Sequence, residues 1–376
     1  MDSESLPPPP RYGERSLPDL GSSLLASLGV PGEDNPLGLP PAARVCLLVV
    51  DGLGWELLRE HSAAAPFLSG LAASGGPLTA GFPATTVTSL ASLGTGRPPG
   101  QHGMLGYQVA VPGKRKLLNA LRWDSSVDPL AWQPGMTIYE RAVAAGVSSC
   151  RVGPPRLEKT GLSLAVMRGN AYRPASSLGA LAAEAAQALR SARRALVTVY
   201  HDQLDGTGHL FGCGSQAWRF QLGHVDMLAQ QLAAAIPAGT QLYVTADHGM
   251  VDVAPGDRVD ADTTAGLLDG VALLGGEPRA RHLYTTRGAA GDVLQTWRDL
   301  VGDRAWVLSR DEAVGAGWFG PVAPWLADRI GDVVVATAGS AAVVATRAEV
   351  LESSLIGMHG SLTPADQLVP LLHLVV

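Results

Sequence analysis

The strongest constraint in this chain is one pattern written four times, an unbroken apolar run that stops abruptly at a polar turn. Val45-Cys46-Leu47-Leu48-Val49-Val50 ends in Asp51-Gly52, and Ala195-Leu196-Val197-Thr198-Val199-Tyr200 ends in His201-Asp202. Gln241-Leu242-Tyr243-Val244-Thr245-Ala246 ends in Asp247-His248-Gly249, and Asp332-Val333-Val334-Val335-Ala336-Thr337 ends in Ala338-Gly339. An apolar run without alternation cannot keep one face in water. It reads as a strand covered on both faces, the usual situation in a parallel sheet.

Between these runs the apolar period becomes helical. Leu178, Leu181, Ala185 and Leu189 form one stripe; Trp218, Leu222, Val225, Leu228, Leu232 and Ile236 form another, with Ser215 placed to cap its start. Strands alternating with helices predict an α/β fold, a mostly parallel central sheet with helices on both faces. Ligands of such sheets gather at the carboxyl ends of the strands. Three of these ends carry an acid: Asp51, Asp202 and Asp247.

Residues 1–42, rich in Pro, Gly and Ser, read as a loosely ordered lead-in with one short apolar stretch, Leu20 to Val30, able to form a helix on the body. Residues 43–376 read as a single catalytic domain. Within it, 105–135, with Tyr107, Trp123 and Trp132, has no clear period and is expected to form a loop or small cap insertion near the site. Residues 252–275 are expected to form a second. The net charge of −6 argues against a nucleic-acid polymer as partner, which would call for a basic patch. Cys46, Cys150 and Cys213 are widely spaced and odd in number, which favours a reducing compartment over a disulfide framework. The first residues lack the basic start and apolar centre of a secretory signal, and no stretch is apolar for long enough to span a membrane. A cytoplasmic location is the expectation.

Taken singly, each polar cluster is ordinary: Asp51 a turn former, Asp247-His248-Gly249 a polar turn, Asp205-Gly206-Thr207-Gly208-His209 a glycine-softened loop, His359 a surface histidine. Together they supply six oxygen or nitrogen donors, Asp51, Asp205, His209, Asp247, His248 and His359, in glycine-flanked turns where side chains can converge. Mixed Asp and His donors suit zinc or another borderline divalent ion, whereas carboxylates alone would point to magnesium or calcium. Asp202 and Asp252 are candidates to orient a ligand imidazole from behind. The segment Phe82 to Gly103 contributes hydroxyls, Thr85, Thr86, Thr88 and Ser89, at what reads as a helix start, where free N–H groups and the helix dipole favour an anion such as phosphate.

These residues resemble the type I phosphodiesterase/nucleotide pyrophosphatase family of the alkaline-phosphatase superfamily. Pro83, Thr86, Thr95-Gly96, Pro99 and His102-Gly103 match its nucleophile region without gaps. Asp205 and His209 match its Asp-x-x-x-His element, Asp247 through Met250 its Asp-His-Gly-Met element, and His359-Gly360 its late His-Gly element. The likeness runs from about residue 44 to 372. It implies an alkaline-phosphatase-like fold and two divalent metal ions, most simply zinc, with manganese or iron compatible. One ion would be held by Asp205, His209 and His359, the other by Asp51, Asp247, His248 and the hydroxyl of Thr86. It implies Thr86 as a nucleophile that forms a phosphothreonine, with Thr85 and Thr88 as the alternatives in register.

The sequence departs from the family in two places. Ser89 stands where the family has an Asn that helps hold a phosphoryl oxygen, and Leu204 where a proline often precedes the metal-binding Asp. The implied substrate is a small phosphodiester or nucleotide-like pyrophosphate. A phosphomonoesterase, for which Arg97, Arg122 and Arg287 are the candidate extra cations, a phosphonoacetate-hydrolase-like enzyme and a catalytically silent binding protein remain open. A sulfatase does not, since no cysteine begins the sequence its modified nucleophile requires.

Overall fold

The structure, a computed structural model, describes residues 6–376. Three of the four apolar runs become neighbours in one sheet. Its strands, in chain order, are β1 (Arg44–Val50), β2 (Gly76–Thr79), β3 (Ser148–Gly153), β4 (Ala171–Pro174), β5 (Ala195–His201), β6 (Gln241–Ala246) and β7 (Leu368–Val375). In space the order is β2-β7-β6-β1-β5-β3-β4. β1 lies between β5 and β6 in parallel register, so Val50 is level with both His201 and Ala246. Only β7 runs the other way, wedged between β2 and β6. The register brings the turns after β1, β5 and β6 to the same edge.

The fourth run is the correction. Val333–Thr337 lies in a separate four-stranded sheet, antiparallel to Ala280–Thr285 on one side and Ala305–Ser309 on the other, with Val271–Glu277 beyond. It is apolar for the expected reason, since both its faces are buried: Val334 and Ala336 join the main core, while Val333 and Val335 face a second core around Trp297 and Val293. Burial on both faces fixes composition but not the direction of neighbouring strands. Part of the supposed irregular insertion at 252–275 is the start of the outermost strand of this sheet.

The helical stripes fold as expected. Leu178–Arg190 buries Leu181, Ala185 and Leu189 and leaves Leu178 half-buried. Gln216–Ala235 buries Trp218, Leu222, Val225, Leu228 and Leu232, with Ile236 just past its end. Ser177 and Ser215 accept hydrogen bonds from Ala180 N and Trp218 N as their caps. The lead-in carries helix α1 (Leu17–Ser27), whose Leu17, Leu20, Leu24 and Leu25 are completely buried. Four leucines at helical spacing outweigh the flanking prolines and glycines. Helix α2 (Thr86–Thr95) follows the nucleophile loop and is buried from Val87 to Thr95. Among the described residues no helix is long and apolar enough to cross a membrane.

Helix α2 owes its position to a missing side chain. A Cβ on Gly94 would lie 2.1 Å from the carbonyl oxygen of Val166, at the end of helix α3 (Gly161–Val166). Backbone meeting backbone leaves no room for a methyl group. Gly94→Ala should therefore destabilise the protein by about 1–3 kcal/mol through overpacking, read as a lowered melting temperature, and should impair activity by displacing Thr86.

Candidate active site

Parallel pairing of β1 with β6 puts Asp51 and Asp247 side by side, and the amide of Gly52 donates to Asp247 Oδ1 at 3.1 Å. Gly52 has φ +74°, and a Cβ there would press on Asp205 at 3.0 Å, so only glycine permits this turn beside the third acid. Asp205 and His209 lie one turn apart on helix α4 (Gln203–Phe211), which follows β5, with His209 Nε2 3.3 Å from Asp205 Oδ2. His359 arrives last, after Gly357-Met358 pairs antiparallel with Val251-Asp252. The ligand atoms of Asp205, His209 and His359 lie within 4.8 Å of one another, as do those of Asp51, Asp247 and His248. The two groups abut, the rings of His248 and His359 stacking at 3.6 Å. All six expected donors thus converge.

Each imidazole is held from behind by a carbonyl. His209 Nδ1 faces Gly357 O at 2.7 Å, His248 Nδ1 faces Gly249 O at 2.9 Å, and His359 Nδ1 faces Ala84 O at 3.0 Å. A carbonyl only accepts, so Nδ1 carries a proton and Nε2 is the atom that each ring, once neutral, presents to the site. The orienting groups are therefore backbone oxygens, and not the acids Asp202 and Asp252. Asp202 pairs with Arg156, and Asp252 accepts from the amide of Cys213 at 2.7 Å.

The electrostatics call for a cation. Burial disfavours a charged His248, yet Asp247, Asp51 and Asp205 outweigh it and push its pKa up to about 10. Burial and the neighbouring Asp51 hold the Asp247 carboxyl well above the usual carboxylate range. Burial and the charges on His248 and His209 push His359 well below the usual imidazole range. Oδ1 of Asp205 and Oδ2 of Asp247 are buried without a hydrogen-bond partner. Orphaned oxygens, mutually repelling acids and Nε2 lone pairs aimed inward are what divalent ions would satisfy, so this donor set fits them.

Thr86 opens helix α2, its Oγ1 3.2 Å from His248 Nε2 and 3.5 Å from Asp51 Oδ1. Thr85 is the buried residue before the helix, and the hydroxyls of Thr88 and Ser89 are buried without partners. Ser89 thus lies inside the packed surface of the helix and not on the wall of the cleft. That cleft, about 330 Å³, has Asp51, Thr86 and Asp205 among its lining, with Leu90, Leu121, Leu157 and Met167 along its walls. Its cations are Arg151 and Arg156; Arg97, Arg122 and Arg287 are exposed and elsewhere. The aromatic side chains of 105–135 stay outside it: Trp132 stacks on Arg329 at 3.7 Å, and Tyr107 donates to Glu352 at 3.1 Å. Two site residues escaped the sequence reading. Tyr200, closing the second apolar run, donates to Asp51 Oδ2. Arg151 was visible only as a charge inside the otherwise neutral strand Ser148–Gly153.

Donors that demand cations, beside a hydroxyl at a helix start that favours anions, mark a phosphoric ester hydrolase on an alkaline-phosphatase-like fold. The chain belongs to the type I phosphodiesterase/nucleotide pyrophosphatase family, a metal-dependent family whose sequence pattern matches residues 45–362. No curated protein matches the chain by sequence. Among solved structures it is similar to murine ectonucleotide pyrophosphatase/phosphodiesterase 5, in an inactive threonine-to-alanine form with AMP, at 17% identity over 87% of each chain and a TM-score of 0.69. The human counterpart gives 18% identity over 88% of this chain and 87% of that one, with a TM-score of 0.67. Phosphonoacetate hydrolase from Sinorhizobium meliloti, in complex with phosphonoacetate, gives 18% identity over 89% of this chain and 90% of that one, with a TM-score of 0.66.

Because His248 keeps a proton up to about pH 10 in the metal-free protein, ion binding by Asp51, Asp247 and His248 must expel it. Zinc affinity at this cluster should rise roughly tenfold per pH unit across neutral and mildly alkaline pH. Calorimetry in buffers of different ionisation enthalpy should show proton release on zinc binding, and its absence would show that His248 is already neutral before the ion binds.

Proposed function

We propose that the protein hydrolyses phosphodiesters or pyrophosphates through a phosphothreonine on Thr86 at a two-metal site. The observation that carries this reading is the Thr86 hydroxyl, set at a helix start, open to the cleft and within 3.5 Å of donors from the Asp51, Asp247 and His248 group. Asp205, His209 and His359 would hold one ion, and Asp51, Asp247 and His248, with the Thr86 oxygen, the other. Zinc suits these donors best, and manganese and iron are served by the same set. Bound divalent ions supply Lewis-acid charge for the phosphoryl oxygens and lower the pKa of hydroxyl and water.

The chain's own groups do the rest. Thr86 Oγ1 attacks phosphorus in line, forming the threonyl O–P bond as the bond to the leaving alcohol or phosphate breaks. The N–H groups in the first turn of helix α2 lack intrahelical acceptors and face the developing negative charge. The apolar walls, Leu90 and Leu121 among them, limit water around the leaving group. Water then cleaves the phosphothreonine, restoring the Thr86 hydroxyl and releasing phosphate or its monoester.

A second reading, carbon–phosphorus cleavage by the same threonine, draws support from the likeness to phosphonoacetate hydrolase and from the cations of the cleft. The inactive threonine-to-alanine form of the murine relative is consistent with either.

The test compares an aryl phosphodiester, an aryl nucleotide ester, an aryl phosphomonoester and phosphonoacetate, each with metal removed and restored. Thr86→Ala should lower kcat by on the order of 10³-fold or more while leaving metal content and fold unchanged, and Thr88→Val should stay active. A Thr86→Ala protein that kept most of its diesterase activity would eliminate the covalent route. Activity restricted to phosphonoacetate would establish the second reading instead.

A further inference from the structure

The cleft is polarised, and the chemistry above uses only one of its ends. Asp51, Asp205 and Thr86 form that end, and Arg151 stands on the sheet floor away from it. Arg151 pairs with Thr198 on β5, which pairs with Leu47 on β1, four residues before Asp51. With about 3.3 Å per residue and 4.8 Å per strand, the Cα atoms of Arg151 and Asp51 are roughly 16 Å apart. Strand alternation puts Arg151, Thr198, Tyr200 and Val49 on one face, and all four line the same cavity. The guanidinium therefore rises from the floor of the cleft towards whatever extends from the acid end.

Arg151 is kept without a counter-ion. It is 9% exposed, its Nε has no partner, and its one hydrogen bond, Nη1 to Ser163 Oγ, is long at 3.4 Å. The ring of Tyr172 lies 5.0 Å from the guanidinium carbon. Among the described residues no carboxylate pairs with it, and Asp202, another acid of the cleft wall, is occupied by Arg156. Arginine stays charged in such a place, and a buried, uncompensated charge is costly to the fold. A planar fork with free N–H groups, facing a cavity, matches a carboxylate or phosphate that arrives from solution.

We propose that Arg151 binds a second anionic group of the substrate, making it a specificity-determining residue of the cleft. The favoured substrate is then a phosphoric ester or phosphonate whose arm, beyond the phosphorus being attacked, ends in a carboxylate or a phosphate. Leu90, Leu121, Leu157 and Met167 line the same cleft and favour an uncharged, apolar spacer. This inference rests on the phosphoryl group occupying the acid end, as proposed above.

Calorimetric binding to the metal-loaded protein separates the two. The ligands are ω-carboxyalkylphosphonates of increasing chain length, alkylphosphonates of matched length, and alkane diphosphonates to distinguish carboxylate from phosphate. At one spacer length the anion-tipped ligand should bind the wild type at least about tenfold more tightly than its alkyl match, the worth of a charge-assisted hydrogen bond. Arg151→Met should erase that preference, leave alkylphosphonate binding unchanged and melt no lower than the wild type. Arg151→Lys, which guards against a folding loss, should keep part of the preference. No preference in the wild type, or one that survives in Arg151→Met, overturns the proposal. So does a variant that melts lower and binds both ligand classes more weakly, since that is the behaviour of a structural arginine. If no phosphonate binds at all, the acid end is not a phosphoryl site and both readings fall, a result the alkylphosphonates report by themselves.

Discussion

Three carboxylates that repel one another set the terms for this structure. The ligand atoms of Asp51 and Asp247 lie within 4.8 Å of each other, and at about 4 Å a like-charge pair costs on the order of 4 kcal/mol even with generous screening. Asp51 and Asp247 come from turns after β1 and β6, and Asp205 from the first turn of helix α4; all three would move apart if free. The sheet prevents it, because the residues before Asp51 are paired on both sides. Hydrogen bonds absorb part of the charge: Asp247 Oδ1 accepts from the amides of Gly52 and His248, and Tyr200 donates to Asp51. The remainder is a standing demand for cations, which ties the fold to its chemistry.

The late segment holds the other side of the cage. Ile356 N donates to His209 O at 2.8 Å and Ala84 N to Gly360 O at 2.9 Å, so the His359 strand is tied to both the Asp205 helix and the nucleophile loop. Gly249 N donates to Asp366 O, and the Asp366 carboxylate forms a fully buried ion pair with Arg279. Arg279 lies in the turn that joins Val271–Glu277 to Ala280–Thr285 of the second sheet, which thereby serves the site without contributing a ligand. A buried pair of this kind adds little net stability but fixes geometry firmly, since either partner alone would be left an uncompensated charge.

How much of this was legible depended on whether a residue's role was local. Asp51 and Asp247 could be read from their position after apolar runs, and Ser215 from its place before a helical stripe. His359 has no local signature, and its role was legible only through a family order of elements. Ser89 was offered as a phosphoryl contact by the family register alone, and its hydroxyl is buried without a partner in the packing of helix α2. The run Val333–Thr337 was correctly read as doubly covered and wrongly read as part of the parallel sheet, since periodicity carries no information about partners. Asp202 and Asp252 looked like orienting acids because sequence cannot show that backbone carbonyls already fill that role. Arg151 went unremarked because an arginine gains meaning only once its lack of a counter-ion is seen.

The placement of β7 bears on how the molecule is made. This antiparallel strand, residues 368–375, fills the gap between β2 and β6, and its register fixes the edges of both. On the ribosome β2 and β6 emerge well before it. Until it follows, β2 has no partner and β6 presents an open edge, the kind of surface that recruits other chains. The parallel core β1-β5-β6 can form first, but the sheet closes only once residues 368–375 take their place. A nascent chain that had not yet reached residue 368 would hold all six candidate ligands on an unfinished sheet, and would be a natural client for chaperones.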